Sequence, residues 1–146
     1  MNKYIGTKIV KATPMSLNDA EEHLQRKIKA GNEEGYLIIY EDGYKSWSPK
    51  KAFEEAYHES GGMSFGIALD LLKKGCSVAR EGWNGKKQYI QLATNISYTT
   101  VRGEIVNCEH EAIGNKAIVF VGTSGVQMGW LASQADMLAE DWKVLD

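Results

Sequence analysis

Apolar positions change their spacing along the chain, and the changes mark out short elements. Tyr4 to Val10 reads as a strand, ended by Thr13-Pro14. Ser16 with Asp19 three residues on is a capping-box-like start for a helix through Leu17, Ala20, Leu24 and Ile28, with Gly31 beyond as its stop. Tyr36 to Tyr40, the turn Asp42-Gly43, and Tyr44 to Trp47 make a hairpin. Ser48-Pro49 then predicts a cap followed by proline at the first helical position, with Phe53, Ala56 and Tyr57 on one face and a stop at Gly61. A further helix is expected from Ser64 to Lys74, with Phe65, Ala68, Leu69 and Leu72 as its stripe and Gly75 as its stop.

Period two takes over beyond Cys76. Ser77 to Arg80 is a short strand, and Gln88 to Ala93 is another, with Ile90 and Leu92 on one face and Tyr89 and Gln91 on the other. Ser97 to Val101 has strand-forming residues without clean alternation, so strand and loop both remain open there. Ala117 to Val121 predicts a buried strand and Val126 to Leu131 its hairpin partner across Gly122-Thr123-Ser124-Gly125. That partner is expected to put Val126, Met128 and Trp130 on one face. Ser133 to Asp136 is a second capping-box-like start, and Asp141 to Leu145 a closing strand. The expected class is α+β, mainly antiparallel β-sheet with short helices. A boundary at about Ser60-Gly61-Gly62 gives an N-terminal α+β part, residues 1–60, and a second part, residues 61–146, each with its own helix and strand signals.

Composition narrows the partners. Hydrophobic residues at 43% and charged ones at 25% are the balance of a globular protein. Residues 1–60 carry 9 basic and 10 acidic groups and residues 61–146 carry 8 and 9, so each part nets -1 and neither offers the cationic surface that polymeric nucleic acid demands. No apolar run has the length of a membrane span, and the N-terminal residues lack a signal-peptide core. Cys76 and Cys108 follow no metal or disulfide pattern, which is the usage of reduced thiols in a cytoplasmic protein.

Catalytic patterns are weak and binding groups are plentiful. Glu109-His110-Glu111 sends neighbouring side chains to opposite faces and has no second His nearby, so no metal site is expected. His23 and His58 sit among Glu residues on helices, and Cys76 lacks a local base. The Gly122 turn has no Lys-Ser/Thr after it and is not a phosphate loop. In "REGWNGKKQYIQLA", by contrast, a tryptophan sits at a turn, where its large apolar surface needs a cover, either another element or a ligand. Trp83, Tyr89, Tyr98 and Trp130 offer flat faces for a nucleobase, and Asn84 offers a donor and an acceptor. Arg80, Lys86 and Lys87 suit phosphates. Ser133 and Asp136 read first as helix caps and second as ligand contacts, and one residue can serve both purposes.

The run "MSFGIALDLLKKGCSVAREGWNGKKQYIQLA" followed by "GWLASQADMLAEDWKVL" resembles the small phage-encoded family that includes the Thoeris anti-defence sponge, the second such inhibitor type. The resemblance covers about residues 63–146. It implies a ligand-sequestering protein rather than an enzyme, without cofactor, acting in the bacterial host cytoplasm. The implied ligand is the immune signal glyco-cyclic ADP-ribose, with cyclic oligonucleotides bound by some members at a separate site. It also implies a homotetramer with ligand pockets between subunits, and it points to Trp83, Asn84, Trp130, Ser133 and Asp136, the last meeting ribose hydroxyls. Residues 1–60 and the segment 94–115 are departures from the shortest members. "YIGTKIVKATPM" and "GYKSWSPKKAFEEAY" resemble small phage segments of no assigned role. A protein-binding inhibitor or accessory protein, and an enzyme that degrades the signal, are the competing expectations.

Overall fold

A computed structural model describes residues 1–83, 87–107 and 115–145. The chain forms two compact units, Met1–His58 and Glu59–Asp146. Their architecture is α+β with antiparallel pairing throughout the described strands.

In the first unit, β1 (Lys11–Pro14), β2 (Gly35–Ile39) and β3 (Lys45–Pro49) form an antiparallel sheet in the order β1-β2-β3. The Asp42-Gly43 hairpin forms as expected, closed by the Tyr40 N–H donating to Tyr44 O at 2.9 Å. The first strand does not lie at Tyr4–Val10. Its ladder starts at Lys11 opposite Ile39, where β2 ends and turns away, so residues before Lys11 have no length of β2 left to pair with. Tyr4 and Ile5 are exposed instead.

Helix α1 (Leu17–Leu24) is capped by the Ser16 hydroxyl, which accepts from the Asp19 N–H, but it stops short of Ile28. Gln25 turns left-handed at φ 55, and the Glu21 carboxylate accepts the N–H groups of Ile28 and Lys29, folding the next residues back over the helix. Helix α2 (Lys50–Ala56) begins after Pro49 and ends at Tyr57 rather than Gly61. Ser48 is no cap, because it stays in β3 opposite Tyr36. Leu17, Ala20 and Trp47 are the small core, with the Trp47 Nε1–H donating to Met15 O at 2.8 Å. Of the hairpin aromatics, Trp47 is therefore core and Tyr36 stacks on Phe53 at 4.2 Å, while Tyr40 and Tyr44 stack on each other at 5.9 Å.

The second unit is organised by one helix and a five-stranded sheet. Helix α3 (Phe65–Lys73) is capped by the Ser64 hydroxyl, and it ends at Gly75, φ 93, where the Gly75 N–H reaches Leu72 O and the Cys76 N–H reaches Leu71 O. That pair of bonds is a Schellman motif. Strands β4 (Val78–Arg80), β5 (Tyr89–Ala93), β8 (Ala117–Gly122), β9 (Gly125–Met128) and β10 (Trp142–Val144) order as β10-β4-β5-β8-β9. Ser97 to Val101, open from sequence, is a hairpin: β6 (Ser97–Thr99) pairs β7 (Ile105–Asn107) through a turn at Gly103. Met63, Ala68, Leu71, Leu72, Val78, Ile90 and Trp142 form the core under α3, and Leu71 was absent from the expected stripe.

Trp130 leaves the face of Val126 and Met128. Gly129 at φ 83 redirects the chain after β9, so Val126 and Met128 stay exposed while Trp130 packs toward the core. Helix α4 (Gln134–Leu138) follows, with the reciprocal Ser133–Asp136 capping box in place. Among the described residues no helix is long and apolar enough to cross a membrane.

Candidate functional site

Arg80 ends β4, and antiparallel pairing sets it opposite Trp142 of β10. This register brings Asp141, one residue before Trp142, beside Glu81, one residue after Arg80, and the Glu81 N–H donates to Asp141 O at 3.0 Å. The Arg80 guanidinium then holds two carboxylates. Its Nε and Nη2 donate to Asp141 at 2.9 and 3.5 Å, and its Nη1 donates to Asp136 Oδ1 at 3.0 Å. Asp136 is doubly committed, because its Oδ2 accepts the N–H and the hydroxyl of Ser133 at 2.9 and 2.8 Å. Asp141 Oδ2 also accepts the Gly82 N–H at 3.2 Å.

Electrostatics follow from these partners. Burial pushes the Asp136 carboxyl upward, but the Ser133 donors and Arg80 outweigh it and hold it below the ordinary carboxylate range. Asp141 is lowered chiefly by Arg80, with the Gly82 N–H adding to the effect. Arg80 is raised by Asp141 and then Asp136, so it is cationic at any working pH. Lys143 pairs with Glu81 at 2.9 Å on the same turn.

Beside this cluster is a nest of aromatic rings. Trp83 meets Trp142, Phe120 and Trp130 edge-to-face, with centroids 5.4, 5.7 and 6.0 Å away. Trp130 meets Trp142 at 6.2 Å, and Phe65 of α3 meets Trp142 at 5.5 Å and Trp130 at 6.5 Å. Trp142 is fully buried, and its Nε1–H donates to Asp136 O at 3.0 Å, which ties the nest to the carboxylate cluster. Trp83 and Trp130 are only partly buried. The tryptophan at the turn thus has a cover within its own chain, and part of its surface is left over.

Of the residues expected at a site, Arg80, Trp83, Trp130, Ser133 and Asp136 come together here. Tyr89 does not. It pairs with Val121 on the sheet face opposite Ile90 and Phe120, which carry the nest. Asn84 and Lys86 lie outside the described residues, as do Cys108 and the Glu109-His110-Glu111 run. Lys87, the next described residue, is exposed with φ 51. Sequence reading missed Asp141, Trp142 and Phe120. Opposing β4 to the closing strand would have found the first two, since "RE" then faces "DW". Among the described residues no group of His, Cys, Asp and Glu side chains could hold a metal ion.

Residues 63–145, which contain all of these groups, match the family model described as the Thoeris anti-defense 2-like domain. A curated protein from Bacillus phage SP01 named Thoeris anti-defense 2 is 39% identical over 88 residues, a match that covers 57% of this chain and 94% of that protein. Since the family model spans more than half of the chain and the relative is matched along nearly its whole length, the chain belongs to the Thoeris anti-defense 2-like family of anti-defence proteins.

Proposed function

We propose that the second unit binds and sequesters a cyclic nucleotide-derived immune signal, glyco-cyclic ADP-ribose, without cleaving it, in the cytoplasm of the infected host. The observation that carries this reading is the pair Trp83 and Trp130. Both are partly exposed, both rest edge-on against the buried Trp142, and their centroids are 6.0 Å apart. Rings braced in this way form a rigid apolar wall for a base, and stacking of this kind contributes about 1–3 kcal/mol per base. In this reading Trp83, Asn84 and Trp130 contact the ligand and Lys86 and Lys87 face its phosphates. Arg80, Ser133 and Asp136 support the site through the bonds they make to one another. Tyr89 contributes from the other sheet face only where a second subunit brings a further surface.

Affinity argues for such a second subunit. A protein that outcompetes a sensitive receptor needs a dissociation constant of about 1 nM, or about -12 kcal/mol. A ligand of about 35 heavy atoms at ~0.3 kcal/mol per atom supplies ~10 kcal/mol, which approaches that requirement only when nearly all of it is enclosed. A homo-oligomer, here a tetramer, that closes over the aromatic pair provides the enclosure.

The test is to incubate the protein with glyco-cyclic ADP-ribose, remove free ligand, heat the protein and identify what is released. Intact ligand is the expected result. A cleaved product would make the protein an enzyme, and no ligand together with a tight host protein partner would make it a protein-binding inhibitor. Trp83→Ala is expected to lose retention at a temperature where its circular dichroism still matches the parent; full retention removes Trp83 from the site.

A further inference from the structure

The turn that carries Trp83 begins at Glu81, directly after β4. Among the described residues, β4 and β5 share one register pair, Val78 and Ile90. What holds the start of the turn comes from the other side of β4. Asp141 accepts the Glu81 N–H through its backbone oxygen at 3.0 Å and the Gly82 N–H through its carboxylate at 3.2 Å. The same carboxylate takes two donors of Arg80, whose carbonyl accepts the Trp83 N–H at 3.2 Å. A methyl group added at Gly82 would meet Asp141 Oδ2 at 3.5 Å, an ordinary contact, so the carboxylate already lies against the turn backbone.

Resting on the sequestration reading above, we infer that Asp141 is a positioning residue for ligand capture. It touches no ligand atom. It sets the backbone of residues 81–83, and through it the angle at which the Trp83 ring leaves the nest. Arg80 belongs to the same device, since three of its N–H bonds are spent on Asp141 and Asp136. A side chain held by two carboxylates is a poor phosphate clamp, because its charge is already compensated. Phosphate recognition therefore falls to groups other than Arg80. A preset turn raises affinity by removing the ordering that binding otherwise has to impose.

The experiment uses the full-length protein and Asp141→Asn, which keeps size and one acceptor oxygen while losing the charge, with Asp141→Ala alongside. Amide exchange at Gly82 and Trp83, read by NMR without ligand, is expected to quicken about 10-fold or more. Leu71 and Leu72 in α3 keep their protection, and Glu81, bonded to the Asp141 backbone oxygen, changes less. Binding of glyco-cyclic ADP-ribose is expected to weaken about 30-fold in Asp141→Asn. The same substitution made on top of Trp83→Ala is expected to change binding by less than about 2-fold, since coupled residues are not additive. Unchanged exchange at Gly82 and Trp83 in both variants overturns the inference. So does an equal loss of affinity with and without Trp83, which would mean that Asp141 acts elsewhere. Quickened exchange in a protein whose parent form binds no ligand would overturn the sequestration reading and leave the positioning of the turn standing.

Discussion

Replacing Arg80 with methionine keeps most of the side-chain stem and removes the guanidinium from between Asp136 and Asp141. Both carboxylates then lose their shared cation, while Asp136 keeps its Ser133 donors and Asp141 keeps the Gly82 N–H. Breaking a fully buried ion pair costs about 3–5 kcal/mol, and an exposed pair is worth under about 1 kcal/mol. The side chains here are 21%, 13% and 34% exposed for Arg80, Asp136 and Asp141, so solvent screens part of the interaction and the expected loss is about 2 kcal/mol at pH 7. Its pH dependence has a definite sign. Both aspartates are lowered from the ordinary value of 3.8, so they add stability above that value and lose it as pH falls through their depressed folded-state values. Arg80 titrates far above this range and adds nothing to the slope.

The gap between the parent protein and Arg80→Met is therefore expected to be about 2 kcal/mol at pH 7 and to shrink as pH falls below 3.8 and the two aspartates take up protons. Urea unfolding followed by near-ultraviolet circular dichroism measures it, because the coupled indoles of Trp83, Trp130 and Trp142 report directly on the nest. A gap that stays constant from pH 7 to pH 3 would refute the electrostatic account and assign the loss to packing of the arginine stem.

Two glycines give predictions with different physical causes. A Cβ at buried Gly35 would fall inside the Trp47 ring and against Ser48 O, and Trp47 is pinned by its bond to Met15, so Gly35→Ala is expected to cost about 1–3 kcal/mol. A urea midpoint equal to the parent's would show that the indole can move aside. A Cβ at Gly75 meets nothing within 4 Å, but φ there is +93, so Gly75→Ala is expected to cost only about 1 kcal/mol, through backbone strain. A loss as large as that of Gly35→Ala in the same assay would refute the view that α3 ends by conformation alone.

Local chemistry made much of this fold legible. Asp42-Gly43 closed its hairpin, Ser64 and Ser133 capped their helices, and Gly75 stopped α3, because each acts within a few residues of itself. Errors gathered where a strand partner, a side-chain bond or a backbone turn overrode the apolar spacing. Tyr4–Val10 has the residues of a strand but no length of β2 to pair with, and α1 stopped at Leu24 because Glu21 captured the N–H groups of Ile28 and Lys29. Trp130 left the face of its strand neighbours at Gly129, whose positive φ a period-two reading does not contain.

The site divides along the same line. The sequence by itself marked Trp83 as an aromatic that needed a cover, and marked Arg80, Trp130, Ser133 and Asp136 as groups able to serve a ligand, because those properties belong to the side chains. Only the tertiary structure decided what each one touches. The pairing of β10 with β4 set Asp141 and Trp142 against Arg80 across some 60 residues of chain, and placed two carboxylates on its guanidinium. It also placed Trp142 behind Trp83, so the cover was partly the protein's own. Sheet register is a non-local choice, fixed by which apolar faces can be buried together, and no window along the sequence contains both strands at once.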